Sequence, residues 1–344
     1  MAAARLAYLD DARALGIALV VFGHAFGSIE HDGGGPSGTS IDTTLSAIYT
    51  FHIPLFFFLA GMSQRLSSAH APQAMTRSLI RTVLYPYVVW TLIIVGLKSL
   101  FSGVANHVPH LGDIAAILLF NPVDHLWFLH VLLVIRLIWL LVELANRPFV
   151  RPLVVVVPLV VIVVQSFAGL TNFLVWTCFW GSFYGLGTCL AADRLPAMGK
   201  APRLGLAALG AVVWVTILYR VPTVNEQAPN LLRFLVALAP IVTVMTLTSF
   251  APPARSLPQR LIAFLGEASL AIYLAHTVVG TIVRLALAAA GSTSMTAMVM
   301  AYTLCGLALP ALAYALLVTL GRRHNLPLAA LAGFGSARRL VYFP

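Results

Sequence analysis

Two side chains in the first apolar stretch carry the clearest chemical signal. In Asp10-Asp11-Ala-Arg13-Ala-Leu-Gly-Ile-Ala-Leu-Val-Val-Phe-Gly-His24, a guanidinium and an imidazole stand eleven residues apart. At ~3.6 residues per turn this is close to three whole turns, so both project from one helix face, about 16 Å apart along the axis. An ionisable group inside an apolar run is costly and marks a functional position by default. Arg13 suits an anion, because guanidinium presents paired donors to phosphate or carboxylate. His24 suits proton transfer, because imidazole titrates near neutrality. Asp10 lies one turn before Arg13 and is placed to orient it. Plainer readings stand beside these: Arg13 as a snorkelling anchor at a membrane surface, and His24 as an interhelical hydrogen-bonding group.

Other polar groups recur at matching depths. His52 sits in Phe51-His52-Ile-Pro54-Leu-Phe-Phe-Phe-Leu-Ala-Gly61, and His125, Trp127 and His130 in His125-Leu-Trp127-Phe-Leu-His130. His24, His52 and His125 or His130 are expected within about two turns of one boundary, a level at which several imidazoles could transfer protons. Each of the last three also reads as an interfacial residue beside an aromatic belt. No His-x3-His or carboxylate at ligand spacing supports a metal, so none is expected. Arg77 and Arg81, one helical turn apart before Tyr85-Pro86-Tyr87, form a two-pronged basic patch suited to phosphate, or a plain topology-setting cluster. Glu267 and His276 lie in Gly266-Glu-Ala-Ser-Leu-Ala-Ile-Tyr273-Leu-Ala-His276, and a histidine as deep as His276 is expected to face protein rather than lipid.

The elements that must position these groups follow from composition. Of the 344 residues, 60% are hydrophobic and 9% charged, and the mean hydropathy is +0.93. A soluble domain needs about 25% charged residues to clothe its surface. Two soluble domains, disorder, a disulfide scaffold and a coiled coil are thereby excluded. The chain reads as an all-α, polytopic membrane bundle. Cys178, Cys189 and Cys305 lie in apolar runs without metal or redox spacing and read as small hydrophobes. The first apolar run lacks a small-residue cleavage pattern, so it is expected to stay as a helix.

A spanning helix needs roughly 20 mostly apolar residues. The hydropathy pattern places ten, at 11–29, 46–65, 80–101, 125–143, 152–167, 172–191, 204–220, 231–250, 263–289 and 295–320. The patch 113–120 is too short to cross and reads as re-entrant or interfacial. Sixteen of the 21 Lys and Arg fall in one alternating set of loops and ends. Four (Lys98, Arg220, Arg233 and Arg284) fall in the other, and Arg136 lies within a span. Basic residues collect in cytoplasmic loops, so both termini are expected there, and the net charge of +10 reports topology rather than nucleic-acid binding. The chain is expected to form a single transmembrane domain over 1–320, followed by a cytoplasmic or interfacial tail over 321–344.

These residues, in this order, resemble the acyltransferase-3 family of bacterial integral membrane acyltransferases. The points of likeness are Asp10 with Arg13 and His24, the run Phe51–Gly61, Arg81 with Pro86-Tyr87, His125-Leu-Trp127-Phe-Leu, and Gly266 to His276. Any one is weak alone; the ordered set spans most of the chain. The compact form is similar to stand-alone, fucose 4-O-acetylase-like members. One departure is that the family's paired arginines are commonly separated by two residues, whereas Arg77 and Arg81 are separated by three, which weights Arg81 over Arg77.

The resemblance implies ten helices and transfer of an acyl group, usually acetyl, from cytoplasmic acyl-CoA to a hydroxyl of an extracytoplasmic glycan or related envelope molecule. It implies a multi-pass protein of the bacterial inner membrane. On this reading His24 is the general base, and Arg13, Arg81 and Arg77 hold the phosphates of CoA. His52, His125, Trp127, Glu267, His276 and Asp10 bind the acceptor or orient the reacting groups. The partners are acyl-CoA, a hydroxyl-bearing acceptor and membrane lipid; nucleic acid is not expected, and a monomer and a homodimer are both compatible with the sequence. The competing reading is a transporter or flippase for a glycan precursor or small acid, which explains buried polar groups equally well. It does not explain a one-sided basic mouth paired with an imidazole level on the far side, and the halves show no convincing internal repeat.

Overall fold

The computed structural model describes residues 2–30, 39–66, 72–103, 109–145, 149–169, 172–220, 229–252, 255–291 and 294–335. Among these residues every regular element is a helix. A long apolar run can satisfy its backbone in lipid only through its own i to i+4 hydrogen bonds, which is why each apolar segment folds this way. The helices are α1 (Ala2–Glu30), α2 (Thr39–Leu66), α3 (Pro72–Leu79), α4 (Tyr85–Leu100), α5 (Ile114–Leu119), α6 (Trp127–Ala145), α7 (Leu153–Ala168) and α8 (Phe173–Cys189). They continue with α9 (Arg194–Ala197), α10 (Lys200–Arg220), α11 (Leu231–Thr248), α12 (Leu257–Glu267), α13 (Ser269–Ala289), α14 (Met295–His324) and α15 (Leu328–Leu331).

Each of the ten expected spans coincides with helix. Among the described residues seven stretches are both long and apolar enough to cross a membrane: Thr44–Leu66, Pro72–Leu100, Asp124–Ala145, Lys200–Arg220, Leu231–Thr248, Ser269–Ala289 and Met295–His324. The first helix, α1, runs for 29 residues, and α7 is 16 residues long. The bundle is all-α and polytopic. The patch at 113–120 forms the short α5, and residues 336–344 of the expected tail lie outside the described residues.

Two segments differ from the sequence expectation. The third span begins earlier and is one continuous helical stretch from Pro72, in which α3 passes into α4 through a π-helical turn, Ile80–Leu84. Pro86 has no amide proton, and its ring would press on the carbonyl of Thr82 in a regular α-helix. A wider turn immediately before it relieves that contact, and the amide of Tyr85 bonds to Ile80 O instead. The ninth span is two helices rather than one. Ala268 (φ −81°, ψ 1°) leaves helical geometry, and its amide is shared between the carbonyls of Phe264 and Gly266. Glu267 therefore ends α12, while His276 belongs to α13.

Packing groups the chain into two units, one built from Met1–Ser68 with Pro148–Ala311, the other from Ala69–Arg147 with Leu312–Leu340. In the first, α2 lies against α8, α10 against α11, and α1 against α2, α12 and α13. Small residues permit this closeness, as usual between membrane helices. A Cβ on Gly61 would run into the carbonyl oxygen of Tyr184, and one on Gly187 into that of Phe58. Gly266 of α12 likewise rests on the backbone of Asp10 in α1. In the second unit α3 and the π-turn pack on α6. Trp90 Nε1 donates to Ala332 O at 3.0 Å, and the Trp90 ring stacks on Phe334.

Candidate functional site

In the first unit, α1 carries Asp10, Arg13 and His24 as one column. The carboxylate of Asp10, itself buried, pairs with Arg13 Nη1, one turn on. Arg13 Nη2 donates to Ser63 Oγ of α2 at 2.7 Å, and Ser63 in turn donates to Leu59 O at 2.7 Å. Beside this column, Arg255 holds both oxygens of Asp11 (2.7 and 2.9 Å) and Gln259 O at 3.2 Å, fixing the start of α1 against the approach to α12. Two of the five guanidinium donors of Arg13 are thus engaged, in an aimed posture.

Three turns along α1, His24 is exposed at the surface of the helix bundle. Its ring centroid lies 5.1 Å from that of His276 of α13, tilted by 52°. His276 is fully buried, and its Nδ1 lies 3.0 Å from Ile272 O and 2.8 Å from Tyr273 O. A carbonyl only accepts, so Nδ1 carries the proton and Nε2 is the basic nitrogen of neutral His276. His52 is held in the same manner, with Nδ1 donating to Ile48 O at 2.7 Å. Its ring lies 5.4 Å from that of Tyr49, whose hydroxyl donates to Gly23 O at 3.0 Å. Gly23 leaves room for that phenol, since a Cβ there would stand 3.1 Å from the Tyr49 ring. Tyr49 thus joins α2 to α1 at the residue before His24. The first unit therefore brings together His24, His276, Tyr49 and His52 at one end of the column, and Asp10, Arg13 and Ser63 at the other. Glu267 is half-buried at the end of α12, next to the Gly266 that rests on Asp10.

In the second unit, Arg77 and Arg81 are exposed on one stripe of the α3–π-turn stretch. With Pro72, Gln73, Thr76, Ile80 and Leu144 they line an open cleft of about 590 Å³. The stripe follows from spacing: positions 73, 76, 77, 80 and 81 share a helix face. Among the described residues neither arginine makes a side-chain hydrogen bond or ion pair. At the opposite end of this unit, His125 and His130 are buried and Trp127 is half-buried. His130 Nε2 donates to Leu119 O at 3.1 Å, and its ring lies 5.8 Å from that of Tyr87. Lys98 pairs with Asp124 at 2.7 Å, beside His125, and Asp124 takes a left-handed backbone (φ 45°).

Tyr49 and Ser63 were not singled out by the sequence reading. Tyr49 had a readable signal, since it falls one turn before His52. Ser63 had none, because its partner Arg13 is fifty residues away in the chain. Among the described residues no three metal-ligating side chains converge.

A family model described as an acyltransferase domain matches residues 6–318. No curated protein and no solved structure shows significant similarity to the chain.

Proposed function

The chain belongs to the acyltransferase-3 family, and we propose that it is a membrane O-acyltransferase moving an acyl group, acetyl in the simplest case, from acyl-CoA to a hydroxyl of an envelope glycan or related molecule. The bacterial cytoplasmic membrane is its proposed location, with CoA reaching it from the side that collects the basic residues. The observation that carries this reading is the exposed His24 held ring to ring with buried His276.

The acceptor hydroxyl is a poor nucleophile at neutral pH. His24 takes its proton as the oxygen attacks the thioester carbonyl. The new C–O bond forms, the C–S bond breaks, and the proton leaves with the CoA sulfur as free thiol. Such a base contributes about 10²–10⁴-fold. His276, tied through Nδ1 to two carbonyls, keeps the ring of His24 from turning away. Arg81 and Arg77 bind the donor's phosphates through charge-assisted hydrogen bonds. Arg13 adds positive charge in the posture set by Asp10, with Glu267 near the same end. His52, His125 and Trp127 are assigned to the acceptor.

The test uses purified protein, radiolabelled acetyl-CoA and isolated envelope glycan. Acceptor-dependent release of free thiol, matched by label on the glycan, is expected. Movement of glycan or acid across vesicles containing the protein, with no thiol released, would replace this reading with transport.

A further inference from the structure

One charge in the second unit that the proposed function does not use is Arg136, midway along α6. A guanidinium within a span is expensive and calls for a purpose. It is half-buried, and its two terminal nitrogens reach two hydroxyls: Nη1 donates to Thr82 Oγ1 at 2.9 Å and Nη2 to Ser78 Oγ at 3.0 Å. Thr82 also donates to Ser78 O at 2.8 Å. Ser78 and Thr82 each directly follow a cleft arginine, Arg77 and Arg81, and the two hydroxyls stand on either side of the junction between α3 and the π-turn.

This geometry has a consequence for the pair. In regular α-helix, residues four apart are offset by about 40° around the axis. A wider turn reduces that offset and brings Arg81 nearer to a position directly above Arg77. A π-turn is also an uncommon, locally weaker hydrogen-bonding arrangement that occurs often at functional sites. The planar guanidinium fork has a fixed span. Bound to both hydroxyls, it fixes the pitch of the junction and hence the spacing of the neighbouring arginines.

We infer that Arg136 is a positioning residue for donor binding: through Ser78 and Thr82 it holds the π-turn in the register that aims Arg77 and Arg81 together at a phosphate-bearing ligand in the cleft. This rests on the donor-binding role proposed for that pair.

The experiment measures CoA affinity, and KM and kcat for acetyl-CoA, in purified wild type and in Arg136→Gln, Arg136→Lys, Thr82→Val and Arg81→Ala, with melting temperature in detergent recorded for each. Arg136→Gln removes a charge from a span, so insertion is not disfavoured, and Thr82→Val tests the same link without touching the arginine. Arg136→Gln is expected to weaken CoA binding and raise KM roughly tenfold, the scale of one hydrogen bond to a charged group, with kcat within about twofold. Thr82→Val shifts both in the same direction by less, and Arg136→Lys, which keeps the charge but not the fork, recovers part of the loss. Wild-type affinity in Arg136→Gln and Thr82→Val alongside weakened binding in Arg81→Ala would overturn the positioning role. So would a fall in kcat and melting temperature with KM unchanged, the pattern of a purely structural residue. Wild-type CoA affinity in Arg81→Ala would instead remove the donor-binding role of the cleft, and this inference with it.

Discussion

The two units present their arginines in opposite conditions. In the first, Arg13 lies between a buried carboxylate and a serine hydroxyl, three turns from an exposed imidazole on the same helix. In the second, Arg77 and Arg81 are exposed in an open cleft, and a third arginine, Arg136, bonds the hydroxyls of Ser78 and Thr82, the residues that follow them. A guanidinium already satisfied by a carboxylate gains less from a phosphate than one whose donors face water, because only the latter brings its whole charge to the ligand. On the proposed function, this difference puts donor affinity chiefly in the second unit and proton transfer in the first, with Arg13 in a supporting electrostatic role.

This division can be broken at several points. The largest effect is expected for His24→Ala, which should slow acyl transfer by about 10²–10⁴-fold. Transfer at the wild-type rate would take the base out of the first unit. Next comes Arg81→Ala, for which KM for acetyl-CoA should rise about 10–100-fold, as for a lost hydrogen bond to a charged group. A larger effect at Arg13→Ala than at Arg81→Ala would reverse the assignment of the two regions.

Gly61→Ala tests whether the units' roles separate physically. The added methyl meets the Tyr184 carbonyl and should destabilise the α2–α8 contact by about 1–3 kcal/mol, as overpacking does. Thermal unfolding in detergent would register this, while CoA affinity at the cleft should stay near wild type. The smallest effect is expected from Asp10→Asn. The exchange keeps the positive charge of Arg13, whose proposed role is supporting, so CoA affinity should change by less than about fivefold, ~1 kcal/mol. A tenfold loss would show that the aim of Arg13 matters more than its charge.

Much of this was legible in the residues, for reasons that are local. The eleven-residue spacing of Arg13 and His24 needed only helical periodicity, and the helices followed from runs of apolar side chains. The Arg77–Arg81 stripe was likewise a matter of register. What escaped depended on neighbours distant in the chain. The two hydroxyls that Arg136 bonds are more than fifty residues away in the chain, so its place in the span looked unexplained. The contact between His24 and His276 joins the first helix to the thirteenth, and hydropathy does not encode it. Pro86 announced a disturbance but not its form, since a kink and a π-turn both relieve a proline. The break at Ala268 is flanked by Gly266, Glu267 and Ser269, small and polar residues that interrupt the apolar run without by themselves dictating that one helix should become two.

The most direct test pairs equilibrium CoA binding with single-turnover acetyl transfer in His24→Ala and Arg81→Ala. The account predicts that His24→Ala binds CoA with wild-type affinity yet transfers almost nothing, while Arg81→Ala binds weakly yet transfers at a near-normal rate once saturated. A His24→Ala protein that loses CoA binding, or an Arg81→Ala protein that stays inactive at saturation, would contradict it.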